Sequence, residues 1–271
     1  QRKKKNNMEG KNLILAIALS SLVLIVWGTL FAPTPTTIQK EQSKIEKIDK
    51  SSDVSSPSID TKAEAKMLTR VESLNLAKRI PIENENISGS ISLSGGIIDD
   101  IIFKNYKENL NSENKVILLN PNGSGDGYYI ETGWASTDKN IDLPNNKTMW
   151  SIIGNSKLTP NNPVNLQWKN NEGIVFTKRI ELDEKFLFKI SQKINNNGNN
   201  KYDFYPYAQI VRDKKPEVLG FYILHEGFIG VFDEELTEKD YTDIDEKKYI
   251  TNSSSGWLGI TDKYWITAIV P

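Results

Sequence analysis

Between Lys11 and Lys40 the chain carries no Asp, Glu, Lys or Arg, although 25% of the whole sequence is charged. Within that window Leu13–Phe31 reads LILAIALSSLVLIVWGTLF, and only Ser20, Ser21, Gly28 and Thr29 interrupt the apolar run. Nineteen residues of helix span roughly 28 Å, close to the hydrocarbon thickness of a bilayer. Twelve of them are Leu, Ile, Val or Phe, which favours insertion by about 4 to 7 kcal/mol. Ser20 and Ser21 can bond back to helix carbonyls, and Trp27 lies where indoles favour the membrane interface. A cleaved signal peptide ends in a small-x-small site. The exit here reads TLFAPTPTT, with Ala32 followed directly by Pro33. An uncleaved anchor over 13–31 is therefore expected. Arg2, Lys3, Lys4, Lys5 and Lys11 precede it and the next basic residue is Lys40, so residues 1–12 are expected in the cytoplasm and the rest outside.

Residues 32–85 read as a flexible tether. PTPTT, QKEQSKIEKIDK and SSDVSSPS are polar and poor in aromatics, the composition of a chain unable to bury a core. As a coil, about 54 residues would span roughly 40 Å. Only Ala63–Leu76 suggests a brief helix. From Asn86 the hydrophobic period changes to two. In NISGSISLSGG the residues Ile87, Ile91 and Leu93 alternate with serines, and Gly95-Gly96 mark a corner into IIDDIIF. VILLN, GYYIETGW, VNLQWKNNEGIVFTKRIEL, KFLFKISQKI and YDFYPYAQIV follow as strands, with turns at NNEG, Asp183–Lys185 and Asn195–Asn200. Strands every ten to fifteen residues without convincing helices between them predict a mainly β, antiparallel sandwich over 86–271. Lys169–Lys215 is predicted as one continuous meander.

The chemistry available to such a body is narrow. The chain has no cysteine and one histidine, His225. That excludes a disulfide scaffold, cysteine-ligated zinc, iron–sulfur clusters, thiol catalysis and a His-pair metal site. A net charge of −1 gives no electrostatic reason to expect nucleic acid. His225-Glu226 could form an acid–base pair, but general acid–base work needs converging partners, and a backbone-bonding role is expected. Adjacent strand residues point to opposite faces, so Asp99-Asp100 are expected not to line one site. Lys239–Tyr249 (KDYTDIDEKKY) lacks the glycine and final glutamate of a calcium loop and reads as a solvated loop. GSGDGYY is glycine-rich, but no Lys-Ser/Thr follows, as a phosphate loop requires. Six tryptophans invite a sugar platform, with Trp134 and Trp257 as the candidates if exposed, but in a β-sandwich tryptophans more often fill core and rim. No catalytic, cofactor-binding or metal-binding residue is assigned.

Five segments in order, KNLILAIALSSLVLIVWGTLF, SGSISLSGGIIDDIIFKNY, PVNLQWKNNEGIVFTKRIELDEKFLFKI, HEGFIGVFD and GWLGITDKYWITAIVP, closely resemble the N-terminal portion of the bacterial YidC membrane protein insertase family in its Gram-negative form. The resemblance implies a first transmembrane helix with its N-terminus inside, followed by a periplasmic β-supersandwich similar to galactose mutarotase. It implies an inner-membrane protein, not an enzyme, that inserts and folds nascent integral membrane proteins alone or beside the Sec translocon. In the family this activity resides in a later bundle of five transmembrane helices, expected to lie beyond Pro271, where a partly hydrated groove lowers the cost of moving polar segments. Gly95-Gly96, Gly256-Trp257 and Tyr264-Trp265 match family motifs and read as structural. Unpaired edge strands would then make the isolated body prone to aggregation. A carbohydrate-active enzyme of mutarotase type and a tethered sugar-binding module are the alternatives.

Overall fold

A computed structural model describes residues 19–22, 67–216, 225–246 and 248–271. Of the expected span, residues 19–22 are helical; the rest of 13–31 and the tether residues 32–66 lie outside the described residues. Among the described residues no helix is long and apolar enough to cross a membrane.

The described body is mainly β, built from three antiparallel sheets among the described residues. The first contains β1 (Arg79–Glu83), β2 (Ile87–Ser92), β3 (Ile97–Lys107), β4 (Lys115–Leu119), β5 (Tyr128–Ser136) and β10 (Phe204–Arg212). Its order is β1-β2-β3-β5-β10, with β4 paired to β3. The second runs β6 (Ser151–Ile153), β7 (Val164–Lys169), β8 (Ile174–Leu182), β9 (Phe188–Asn196) in sequence order. The third joins β11 (Gly227–Phe232), β12 (Glu235–Asp240), β13 (Gly256–Thr261) and β14 (Ile266–Ile269) in the order β12-β11-β13-β14.

The core lies between the first and second sheets. β8 shows the period-two logic most clearly: Ile174, Phe176, Lys178, Ile180 and Leu182 are buried while their neighbours are not. Ile174, Phe176, Ile180 and Leu182 meet Ile80, Ile82, Ile87 and Ile91 from β1 and β2 in one hydrophobic cluster. Trp134 of β5 packs against Phe176 at 5.2 Å between ring centroids and stacks on Trp150 at 6.2 Å. The third sheet joins through Trp265, whose ring centroid lies 4.5 Å from that of Phe103. Asp262 also accepts from Arg212 Nη1 at 2.7 Å.

Several sequence expectations need correction. The ordered fold begins within the stretch read as tether. Thr69 caps α1 (Arg70–Leu74) with a complete capping box to Glu72, within the region expected to form a brief helix. β1 then pairs with β2 over five residues, and its Ile80 and Ile82 are almost fully buried. A five-residue strand with Pro81 at its centre gives too short an alternation to stand out; Pro81 is tolerated because β1 is an edge strand. The predicted 169–215 meander breaks after β9. β10 instead crosses to the first sheet and pairs with β5 over nine residues. The stretch Lys239–Tyr249 is not simply a loop: Tyr241–Glu246 forms α2, and Tyr241 is buried beside Arg212.

Candidate functional site

Among the strands that end their sheets with one neighbour in the described residues are β9, β10 and β14. All three border a single cleft of about 850 Å³. Ile98, Ile101 and Phe103 of β3 contribute to its wall, Phe188 and Ile190 come from β9, and Ile266–Pro271 close another side. None of its lining residues is Asp, Glu, Lys, Arg or His. The polar groups it offers include the Thr132 hydroxyl, the Gln192 amide, the Tyr207 phenol and Thr267. Such a volume, mostly apolar with few polar groups, is the ordinary form of a binding cleft.

Two of those polar groups, on Gln192 and Tyr207, are held from behind. Gln192 Nε2 donates to the Gly133 carbonyl at 2.7 Å, joining β9 to β5. The Tyr207 ring covers Gly133, where a Cβ would come within 2.6 Å of the phenol oxygen. The Tyr207 hydroxyl donates to Glu131 at 3.0 Å, and Gln209 Nε2 donates to the same carboxylate at 3.1 Å. Burial, reinforced by that carboxylate, pushes the Tyr207 phenol well above its usual range.

Lys178 lies deeper. It is 1% exposed, and its Nζ donates to the carbonyls of Gly95 at 3.1 Å and Gly96 at 3.5 Å. It also sits 4.8 Å from the Trp150 ring centroid. Gly95 and Gly96 have φ of 76° and 62°, a left-handed pair that presents both carbonyls to the ammonium. Burial pulls the lysine down to about 8, opposed by the charge of Glu131. Reading VFTKRIEL for alternation puts Lys178 on the inward face, so the signal was present; the expectation that lysines face water concealed it.

Asp99 and Asp100 overturn the expectation of opposite faces. Ser90 pairs with Asp100 and Ile91 with Ile98, leaving Asp99 as the extra residue of a β-bulge. Both carboxylates are buried and enter one network. Asp99 pairs with Arg79 and Asp100 with Arg70. Ser90 Oγ accepts from Arg79 Nε and donates to Asp100. Burial raises Asp99 above the usual carboxylate range, against the pull of Arg79. Every member has its partner within the network, and it clamps α1 and β1 onto β3.

The remaining candidates are dispersed. His225 Nε2 lies 3.0 Å from the Phe228 carbonyl, as a backbone-bonding role requires, and Nδ1 lies 3.4 Å from Asp240. The GSGDGYY segment is the turn from β4 into β5, with Gly123 and Gly125 at positive φ. Trp134, which the sugar-platform alternative needs exposed, is buried at 5% and fills the core. Among the described residues no three His, Cys, Asp or Glu side chains are grouped to hold a metal ion.

Comparison with known proteins adds a family. Residues 79–271 match the family model described as the YidC periplasmic domain. The chain is 46% identical over 264 residues to the membrane protein insertase YidC of Pelagibacter ubique, covering 97% of this chain and 47% of the relative. It is 35% identical over 286 aligned residues to the protein of that name from Bradyrhizobium diazoefficiens, covering 97% and 46%. The chain thus spans about half the length of the curated relatives it matches.

Proposed function

We propose, because this chain belongs to the YidC periplasmic domain family, that it is the anchor and periplasmic portion of a membrane protein insertase. In this reading it serves the insertion, folding and assembly of integral membrane proteins in the inner membrane, alone or beside the Sec translocon. The observation that carries the reading is the 46% identity to an insertase across 97% of the chain. Residues 1–12 then lie in the cytoplasm, 13–31 cross the bilayer, and the segment up to about residue 66 tethers the β-body in the periplasm. The three antiparallel sheets support reading the body as the supersandwich that the resemblance implies.

The body acts by binding and positioning, and no residue of it is assigned a catalytic role. A carbohydrate-active function draws little support from a cleft lined without a charged side chain. Sugar-ring chemistry needs an acid and a base placed at the ring oxygen, and the lone histidine faces a backbone carbonyl and Asp240.

Grafting this chain onto the remaining half of the Pelagibacter relative, in cells depleted of their own insertase, tests the reading. Restored insertion of a membrane protein, followed by protease protection, is the expected result. A stable, membrane-integrated chimera that leaves such proteins uninserted would refute it. Alkaline phosphatase fused after Pro271 should be active, and fused before Leu13 inactive, if the orientation is right.

A further inference from the structure

The chain contains two Asn-Gly steps, Asn122-Gly123 and Asn197-Gly198, and the fold treats them differently. Glycine after asparagine is chemically exposed, because no side chain hinders its backbone nitrogen from reaching the preceding amide carbon. At the second step that nitrogen is engaged: Gly198 N donates to Asn196 Oδ1 at 2.9 Å. The same step packs on the β7–β8 turn, where a Cβ on Gly198 would come within 2.5 Å of the Glu172 carbonyl oxygen. The first step lies between β4 and β5, in a turn closed by Ser124 N donating to the Pro121 carbonyl at 3.3 Å. Gly123, with φ of 89°, takes the third place of that turn, whose N–H has no part in the closing bond. Asn122 is exposed, and a Cβ on Gly123 would meet nothing within 4 Å. Among the described residues the Gly123 nitrogen donates to no acceptor.

We propose that Asn122 is a site of spontaneous deamidation, selected over Asn197 by the fold. The Gly123 nitrogen attacks the side-chain carbonyl carbon of Asn122, giving up its proton. A new C–N bond forms as the bond to the amide nitrogen breaks, and ammonia leaves. Water then opens the resulting succinimide at either carbonyl, yielding aspartate or isoaspartate, with no oxidant or reductant involved. The turn also has a structural duty. The Gly123 carbonyl accepts from Leu68 N at 3.1 Å, and a Cβ on Gly125 would come within 2.7 Å of Met67 Sδ. Those contacts hold the residues that lead into the Thr69 cap of α1. Isoaspartate adds a backbone atom between Pro121 and Ser124 and leaves a carboxylate in the turn. Modification therefore loosens the point at which the chain enters the β-body, whether or not the insertase reading holds.

The test holds the full chain in mild detergent at mildly alkaline pH and follows each asparagine by the fragment masses of its tryptic peptides. The same chain unfolded in guanidinium is the reference. There the two Asn-Gly steps should convert at rates within about threefold of each other. In the folded chain Asn122 should keep about its unfolded rate, while Asn197 should fall at least tenfold below its own. Asn196→Ala, at an exposed position, frees the Gly198 nitrogen and should speed conversion at Asn197 several-fold. Isoaspartate-containing chains should exchange the Leu68 amide faster. Freshly prepared Asn122→Asp, which adds the charge without the extra backbone atom, should not. Equal rates at the two steps of the folded chain would overturn the proposal. So would tenfold protection of Asn122 relative to guanidinium, or faster conversion at any other asparagine. Unchanged Leu68 exchange in the modified chains would overturn the part given to the turn.

Discussion

Replacing Lys178 by Met removes a buried charge while keeping most of its stem, and the consequence can be worked from the site. The folded lysine titrates near 8 and the unfolded one near 10.5, a difference of about 3 kcal/mol in favour of the neutral form. Below pH 8 both states hold the proton and the folded state bears the full cost. As pH rises through 8 the folded lysine releases its proton while the unfolded chain keeps it. Unfolding free energy should therefore increase with pH, by about 2 kcal/mol between pH 7 and 9.5. Above pH 10 the sign reverses. Burial raises the Tyr128 and Tyr241 phenols to about 12, so unfolded tyrosines ionise first and draw the equilibrium towards the unfolded chain. In Lys178→Met the rise between pH 8 and 9.5 should vanish. At pH 7 the variant gains the relief of burial but leaves the Gly95 and Gly96 carbonyls without their donor, a loss of about 1–3 kcal/mol, so its net change should be small. Guanidinium unfolding of the chain in mild detergent, read by tryptophan fluorescence, measures this; Trp150 lies beside the substituted group and stacks on Trp134. Equal pH slopes for the two proteins would refute the reasoning.

Other substitutions probe the remaining features. Ile80→Ala or Ile82→Ala should each cost about 2–4 kcal/mol in the same unfolding assay, whereas a tether position would cost nothing. Asp99→Ala strands Arg79 in the bulge network and should cost about 3–5 kcal/mol. Glu83→Ala, whose lysine partners are exposed, should leave the midpoint unchanged. Gly133→Val forces the Tyr207 ring off its seat and should cost about 1–3 kcal/mol.

What could be read from the sequence was what period and punctuation encode. Alternation from Ile87 onward and the Gly-containing turns located most strands because one buried face imposes a period of two. Pairing between distant strands leaves no such mark. Nothing local in YDFYPYAQIV distinguishes a partner in β5 from one in β9, so the sheet change at β10 went unread. The bulge was invisible for the same reason, since IIDDIIF is compatible with a regular strand until Ser90 and Ile91 fix the register opposite it. The cleft could not be foreseen at all. Its walls come from strands scattered between Ile87 and Pro271, and only the tertiary fold brings three sheet edges together.

The bulge at Asp99 also sets a phase. Along a regular strand Ile98 would share its face with Asp100 and Ile102, while Ile101 and Phe103 would point the other way. The one unpaired residue advances the alternation by half a period. An even-numbered side chain before it and odd-numbered ones after it therefore reach the same wall of the cleft. Deleting Asp99 would remove a buried carboxylate yet leave Ile98, Ile101 and Phe103 alternating onto one face, whereas pairing Asp99 into a regular β3 would turn Ile98 or the Ile101–Phe103 pair out of the wall. The width of the apolar surface thus depends on how the strand is paired as much as on the hydrophobicity of its residues.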